Sequence, residues 1–177
     1  MMEINIRQET AANYQAVSEL IRQAFAEEVM SDHREQFLVE RLRQTEAFVP
    51  ELSLVAATGQ QITGYILLTP IHISNGDTLT GSLALAPVAV LPAFQGKGIG
   101  AALIQEAHRI ARELGYSSIV LLGHETYYPR FGYERASTYN IRLPFEAPDE
   151  NCMILALQPG VLDGVSGMVV YPEAFFQ

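Results

Sequence analysis

Three glycines fall within the six residues Gln95-Gly96-Lys97-Gly98-Ile99-Gly100. They follow an apolar run, Leu83 to Leu91, that ends at Pro92, and they precede a stretch of helical periodicity. A strand that enters a glycine loop opening a helix leaves bare N–H groups at the positive end of the helix dipole, where they can hold phosphate. Residues without Cβ can take positive φ and let a ligand reach the main chain, and successive N–H groups in such a turn make an anion nest. Two familiar phosphate loops fail on spelling. A Walker A loop needs Ser or Thr after its Lys, and Lys97 is followed by Gly98. A dinucleotide fingerprint needs G-x-G-x-x-G and an acidic residue closing the next strand. The chain reads G-x-G-x-G, and Ile119-Val120-Leu121-Leu122 is wholly apolar. The plainer alternative is a tight turn without a ligand, for which one glycine would suffice.

The elements that must position this loop follow from periodicity. Glu3 to Arg7 alternates as a first strand. Thr10 is placed to cap a helix over Tyr14, Val17, Ile21, Ala24 and Phe25. Asp32 with Glu35 has capping-box spacing for a second helix through Phe37, Leu38 and Leu42, and Glu27 to Ser31 is the loop between the two. Leu52 to Ala57 and Ile62 to Ile73 read as strands around a turn at Thr58-Gly59-Gln60-Gln61. Asn75-Gly76 signals a hairpin into a long strand, Thr80 to Leu91. Pro87 inside that strand has no N–H for a ladder bond, so it marks either a bulge at a functional site or an edge position. Ile99, Leu103, Ala107, Ile110 and Leu114 give the helix after the glycine loop, ended by Gly115. Ser118 to Leu122 is a buried strand, parallel to the long one because a helix joins them. A short helix near Tyr127 to Phe131 follows, then strands over Tyr133 to Leu143 and Asn151 to Leu157 that should pair. Met168-Val169-Val170 either adds a last strand or covers the sheet edge. The order β-α-α-β-β-β-α-β-α-β-β is mixed α/β.

With Val88-Ala89-Val90-Leu91-Pro92 ahead of it, Gln95-x-x-Gly98-x-Gly100 resembles motif A of the GNAT acyl-CoA-dependent N-acetyltransferases. Tyr127-Tyr128-Pro129-Arg130-Phe131-Gly132-Tyr133 is similar to motif B of that superfamily, and the tail from Val161 to Gly167 resembles a bacterial branch of predicted acetyltransferases. The resemblance implies the GNAT fold, a mixed twisted sheet flanked by helices on both faces. Residues 3–146 would form the GNAT domain, and 147–177 a C-terminal strand and tail completing it. It implies acetyl-CoA as co-substrate, with its arm along Val88, Ala89 and Val90 and its diphosphate on Gln95, Gly96, Lys97, Gly98, Ile99, Gly100 and Ala101. The reaction would be direct attack by a primary amine, of a small molecule or a protein, in a ternary complex. No protein nucleophile is needed, so Cys152 reads as a late-strand core residue. Tyr128 matches the position of the phenol that protonates the leaving thiolate, and Arg130 and Phe131 would support its loop. Candidates for acceptor binding or for the base are Glu27, Glu28, His72, His124 and Glu125. The latter pair stands where many relatives carry an Asn. His33 and His108 read as surface helix residues. The rival reading is an acyl-CoA-binding sensor or regulatory module without transferase activity, and a weaker one is an interaction domain whose loop stays empty. A homodimer is what the family offers as assembly.

Composition limits the rest. A chain of 177 residues with 49% hydrophobic and 18% charged residues can build one ordered core. A net charge of −9 opposes binding nucleic acid through its phosphates, and mildly suits a cationic amine. No apolar run nears the roughly 20 residues that span a bilayer, and Met1-Met2-Glu3-Ile4-Asn5-Ile6-Arg7 has no signal-peptide features. With the single Cys152, these features point to a cytoplasmic protein without membrane partners. The scattered histidines indicate no metal.

Overall fold

The computed structural model describes residues 3–29 and 31–177. Within them lie β1 (Asn5–Gln8), α1 (Tyr14–Phe25), α2 (Glu35–Arg43), β2 (Ser53–Thr58), β3 (Gln61–Asn75), β4 (Thr78–Val90), α3 (Ile99–Glu113), β5 (Ser118–Leu122), β6 (Glu134–Arg135), β7 (Ile141–Arg142), β8 (Cys152–Ala156) and β9 (Gly167–Val170). The nine strands run in the order β1-β2-β3-β4-β5-β8-β6, with β9 paired to both β3 and β7. No helix among the described residues is long and apolar enough to cross a membrane. The chain divides into two compact units, and β3, β4 and α3 each contribute to both.

The first unit comprises Met1–Leu68, Ala86–Ile110 and Ala174–Gln177. Its sheet carries a helix layer on each face. Val55 and Tyr65 are register partners and pack with Leu67, Ala89, Val17, Leu20, Ile21, Val39 and Leu42 in one core. Their sequence neighbours Ala56 and Gly64 are also partners, and alternation points them to the opposite face. There a Cβ on Gly64 would meet Ile99 Cγ2 at 2.8 Å and Leu103 Cδ1 at 2.9 Å, so α3 packs directly on the bare main chain of β3. Register shifts between Ala56 and Ala57, which leaves Thr63 as the extra residue of a bulge on β3. The Thr63 carbonyl accepts the Leu91 N–H at 2.9 Å just past the end of β4.

Glu9 and Arg43 form a buried bidentate pair, with side chains 3% and 7% exposed. Ser53 Oγ donates to Glu9 at 2.6 Å and lies 2.7 Å from the Tyr65 hydroxyl, and the Arg43 guanidinium stacks over the Tyr14 ring at 4.0 Å. Burial, the largest single influence, would lower the Arg43 pKa, but the hydrogen bond and charge of Glu9, with smaller contributions from Tyr65 and Tyr14, together give a net rise.

The second unit comprises Thr69–Leu85 and Ala111–Glu173. β5 pairs parallel with β4 at Leu83–Ile119 and Ala84–Val120, as the intervening helix predicts. Beside this ladder the buried Ser82 hydroxyl bonds the Ser118 carbonyl at 3.1 Å. β8 pairs antiparallel with β5 from Cys152–Leu122 to Ala156–Ser118. Gly115 ends α3 as expected, its N–H bonding the Arg112 carbonyl while the Tyr116 N–H reaches back to Ala111.

The expectations for the Asp32–Glu35 capping box, the strand over Tyr133 to Leu143, His108 and His33 need correction, and the alternative left open at Met168–Val170 is resolved. Asp32 and Glu35 form no capping box: Asp32 Oδ1 accepts the Arg34 N–H at 2.9 Å in an Asx turn, and Glu35 accepts from Ser31 Oγ. The strand read over Tyr133 to Leu143 is broken by a 3-10 turn, Ala136–Tyr139, and by Asn140 at φ 56°. Only β6 then pairs with β8, and β7 turns to pair parallel with β9. The Met168–Val170 segment is a strand, pairing with β3 from Met168–Ser74 to Val170–His72. His108 is not a surface residue but 5% exposed on α3, and His33 is exposed in the loop before α2 rather than on a helix. The expected first helix is preceded by a 3-10 turn, Ala11–Asn13, in which Asn13 Oδ1 accepts the Thr10 N–H at 2.9 Å.

Candidate active site

In the first unit the end of β4 turns through Pro92–Phe94 into the glycine loop. Gln95 ties the turn down: its N–H reaches the Pro92 carbonyl at 3.4 Å, and its Nε2 donates to the Val90 carbonyl at 3.1 Å. Gly96 and Gly98 have φ of 75° and 85°, a region that side chains disfavour, and an added Cβ on either would meet nothing within 4 Å. The first main-chain bond after the loop runs from the Ala102 N–H to the Gly98 carbonyl at 3.0 Å. Among the described residues, the N–H groups of Gly96, Gly98, Ile99, Gly100 and Ala101 donate to no acceptor within hydrogen-bond distance, while Lys97 closes the turn at Gln95–Gly96. They are the orphan donors of a helix start, extended upstream by a loop open to solvent. Ile99 anchors the arrangement at 1% exposure, while Lys97 is exposed beside it.

Upstream, Ala89 is buried in the α1/α2 core, and Val88 and Val90 are half-buried on the alternate face of β4. The ladder between β4 and β5 has two residue pairs, the last at Ala84, while β4 itself continues to Val90. The Ala86–Pro87 peptide bond is cis.

A depression of about 510 Å³ is lined by Arg22, Gln23, Ala24, Ala26, Glu27, Glu28, Pro92 and Gln95. The structure thus brings two of the candidate acceptor carboxylates together with the first residue of the glycine loop. Arg22 Nε bonds Glu19 at 3.0 Å, and Gln23 Nε2 bonds the same carboxylate at 3.0 Å. That bonding to Arg22, then to Gln23, lowers the Glu19 pKa to about 2 and keeps it ionised. Glu27 and Glu28 line the same depression as this Glu19-bound Arg22.

Tyr128 stands in the second unit, at the start of a 3-10 turn, Tyr128–Phe131. Its ring meets Tyr127 edge-on at 5.1 Å and Tyr133 at 5.8 Å, and it is 9% exposed. Burial, with a smaller contribution from Tyr127, pushes its phenol well above the ordinary value. The group is therefore a held proton throughout the neutral range. Arg130 supports the turn, its Nε bonding the Tyr127 carbonyl at 2.9 Å and its guanidinium covering the Tyr127 ring. Phe131 meets that same ring at 5.3 Å.

His72 is exposed on β3, opposite Val170. His124 and Glu125 are exposed after β5, and the His124 carbonyl accepts the Tyr127 N–H at 3.1 Å. Cys152 is half-buried at the start of β8 rather than in the core, and burial together with Asp149 and Glu150 raises its thiol pKa. A raised thiol is a poor nucleophile. Two residues escaped the sequence reading. A Cβ on Gly123 would meet Tyr128 Cε2 at 2.3 Å, and Asn151 Nδ2 donates to the Gly123 carbonyl at 2.9 Å. A glycine directly after an apolar strand was the available signal for the first; nothing local marks the second.

The family model described as acetyltransferase (GNAT) family matches residues 20–133. The chain is 30% identical over 171 residues to the uncharacterized N-acetyltransferase YhbS of Escherichia coli K12, covering 96% of this chain and 97% of that one. It is 35% identical over 137 residues to YjhQ of the same organism, an uncharacterized N-acetyltransferase, covering 74% and 76%. Among solved structures, E. coli YhbS in complex with CoA superposes with a TM-score of 0.89 at 28% identity, covering 100% of this chain and 94% of that one. A GNAT family acetyltransferase from Brucella melitensis in complex with acetyl-CoA gives 0.80 at 34% identity, covering 98% of both.

Proposed function

The chain belongs to the acetyltransferase (GNAT) family, whose co-substrate is acetyl-CoA, and we propose that it moves the acetyl group to a primary amine by direct attack within a ternary complex. The observation that carries the reading is the set of N–H groups at Gly96 and from Gly98 to Ala101 that donate to no acceptor within hydrogen-bond distance among the described residues. A fixed array of donors at a helix start suits a diphosphate, and its glycines leave room for one. Against a net charge of −9, such local donors with Lys97 are what an anionic ligand requires. On this reading the acyl-bearing arm follows Val88, Ala89 and Val90, the part of β4 beyond its last pair with β5.

The chemistry then asks little of the protein. The acceptor ammonium loses a proton through water, and its nitrogen attacks the thioester carbonyl. The C–S bond breaks, and the thiolate takes a proton from Tyr128 Oη. The phenolate recovers its proton from solvent, and a second proton leaves the nitrogen. Glu27 and Glu28, which line the depression beside Gln95, are the carboxylates assigned to the cationic acceptor. Residues 147–177 complete the same domain on this reading, through β8 on β5 and β9 on β3. A reducing, cytoplasmic setting suits the lone half-buried Cys152.

The test is thiol release from acetyl-CoA over a panel of primary amines. Tyr128→Phe should lower kcat by roughly 100-fold or more, the usual scale of a general acid, and leave the acetyl-CoA-induced rise in melting temperature intact. Tight acetyl-CoA binding with no turnover across the panel would instead favour a sensor module. No thermal shift with acetyl-CoA would overturn the diphosphate assignment.

A further inference from the structure

A general acid delivers its proton only from a hydroxyl held within hydrogen-bond reach of the reacting atom. The Tyr128 ring lies against the α-carbon of Gly123, where a Cβ would sit 2.3 Å from Cε2 and 2.7 Å from Cδ2. Cε2 is bonded to the carbon bearing the hydroxyl, so the contact falls at the reactive end of the ring. The φ of Gly123 lies outside the left-handed region, and its main chain would therefore accept alanine without strain. What the position requires is the missing side chain. Both polar groups of Gly123 are tied to one residue: its N–H donates to the Asn151 carbonyl at 3.0 Å, and its carbonyl accepts from Asn151 Nδ2 at 2.9 Å. Asn151 is only 8% exposed, in the short turn before β8. A buried amide committed to a single carbonyl holds that peptide in one orientation. The rings of Tyr127 and Tyr133 close other sides.

We infer that Gly123, clamped by Asn151, is a positioning residue that seats the Tyr128 phenol for proton delivery to the leaving thiolate. The inference rests on the acid role proposed above and adds to it two residues that never touch substrate. Gly123 supplies the space and Asn151 keeps that space in place.

The full chain with acetyl-CoA and its best amine provides the test, as a cycle of Gly123→Ala, Tyr128→Phe and the double variant. Gly123→Ala should lower kcat by roughly tenfold or more while KM for acetyl-CoA stays within about twofold. In the Tyr128→Phe background, which keeps the ring but has no hydroxyl to misplace, the same change should alter kcat by less than about twofold. Melting temperature should fall in both backgrounds, because the ring meets the new methyl in each. Asn151→Ala repeats the cycle should Gly123→Ala fail to fold, with a smaller loss of kcat that likewise vanishes without the hydroxyl. Equal loss of kcat in both backgrounds, or none in either, overturns the positioning role and leaves the acid role standing. Wild-type kcat in Tyr128→Phe alone overturns the acid role, and the positioning role with it.

Discussion

A single buried ion pair shows how far a residue's meaning depends on partners distant in the chain. Glu9 follows the first strand and looks like a solvated acid, yet it is buried and bound by Arg43 and Ser53. Nothing in local spacing links residues 34 and 44 positions apart, so periodicity could not have found the network. Tyr128 stands out as a candidate in the sequence because its motif is local, whereas Gly123 and Asn151 meet only through the β5–β8 pairing. His108 was misread for a related reason: its place on the helix wheel is polar, and only the packing of α3 buries it. Removing one partner of a buried pair leaves the other charge without compensation, at a cost of about 3 kcal/mol or more. Glu9→Ala should therefore lower urea-unfolding stability by about that amount, and adding Arg43→Met should restore most of it. A loss under about 1 kcal/mol in the single variant would show that Arg43 finds solvent or the Tyr14 ring sufficient.

Elements were legible where period and punctuation agreed. The strand, glycine loop and helix around residues 83–114 combine an apolar run, bare turn residues and a clear helical face, and each appears as read. The break between β6 and β7 was not legible, because Ser137-Thr138-Tyr139-Asn140 is compatible with a strand and only the bond from Ser137 Oγ to Asp149 and the left-handed Asn140 turn it aside. Gly64 also hid its purpose. In sequence it is one glycine in a strand, but it is where α3 lies on β3, and the first turn of α3 carries the donor array. Gly64→Val should push Ile99 and Leu103 away from the sheet. Overpacking of this kind costs about 1–3 kcal/mol, and the displaced helix start should weaken acetyl-CoA binding several-fold by calorimetry. Unchanged affinity at reduced stability would mean that the loop keeps its geometry independently of where α3 rests.

At the scale of the whole molecule, the burial of aromatic hydroxyls limits the working pH on the alkaline side. Burial raises the phenol pKa of Tyr65, where Glu9 adds to it, and of Tyr128, Tyr133 and Tyr171. In the unfolded chain these phenols would titrate near 10. A folded-state pKa above the unfolded one means that the native state binds more protons once pH passes the unfolded value. The contribution of these groups to stability is thus full below about pH 10 and is lost as pH rises from there toward the folded values. The urea midpoint should hold roughly level from pH 8 to 9.5 and drop between about 10 and 11.5. Over the same interval, absorbance near 295 nm should report fewer than the eight tyrosines ionised until the fold is lost, and the rest in step with unfolding. Smooth ionisation of all eight while far-UV ellipticity stays native would show that the buried hydroxyls are open to water. That result would also remove the physical ground for Tyr128 as a held proton, since a phenol that titrates freely has neither the burial nor the fixed seat on which its assigned role depends.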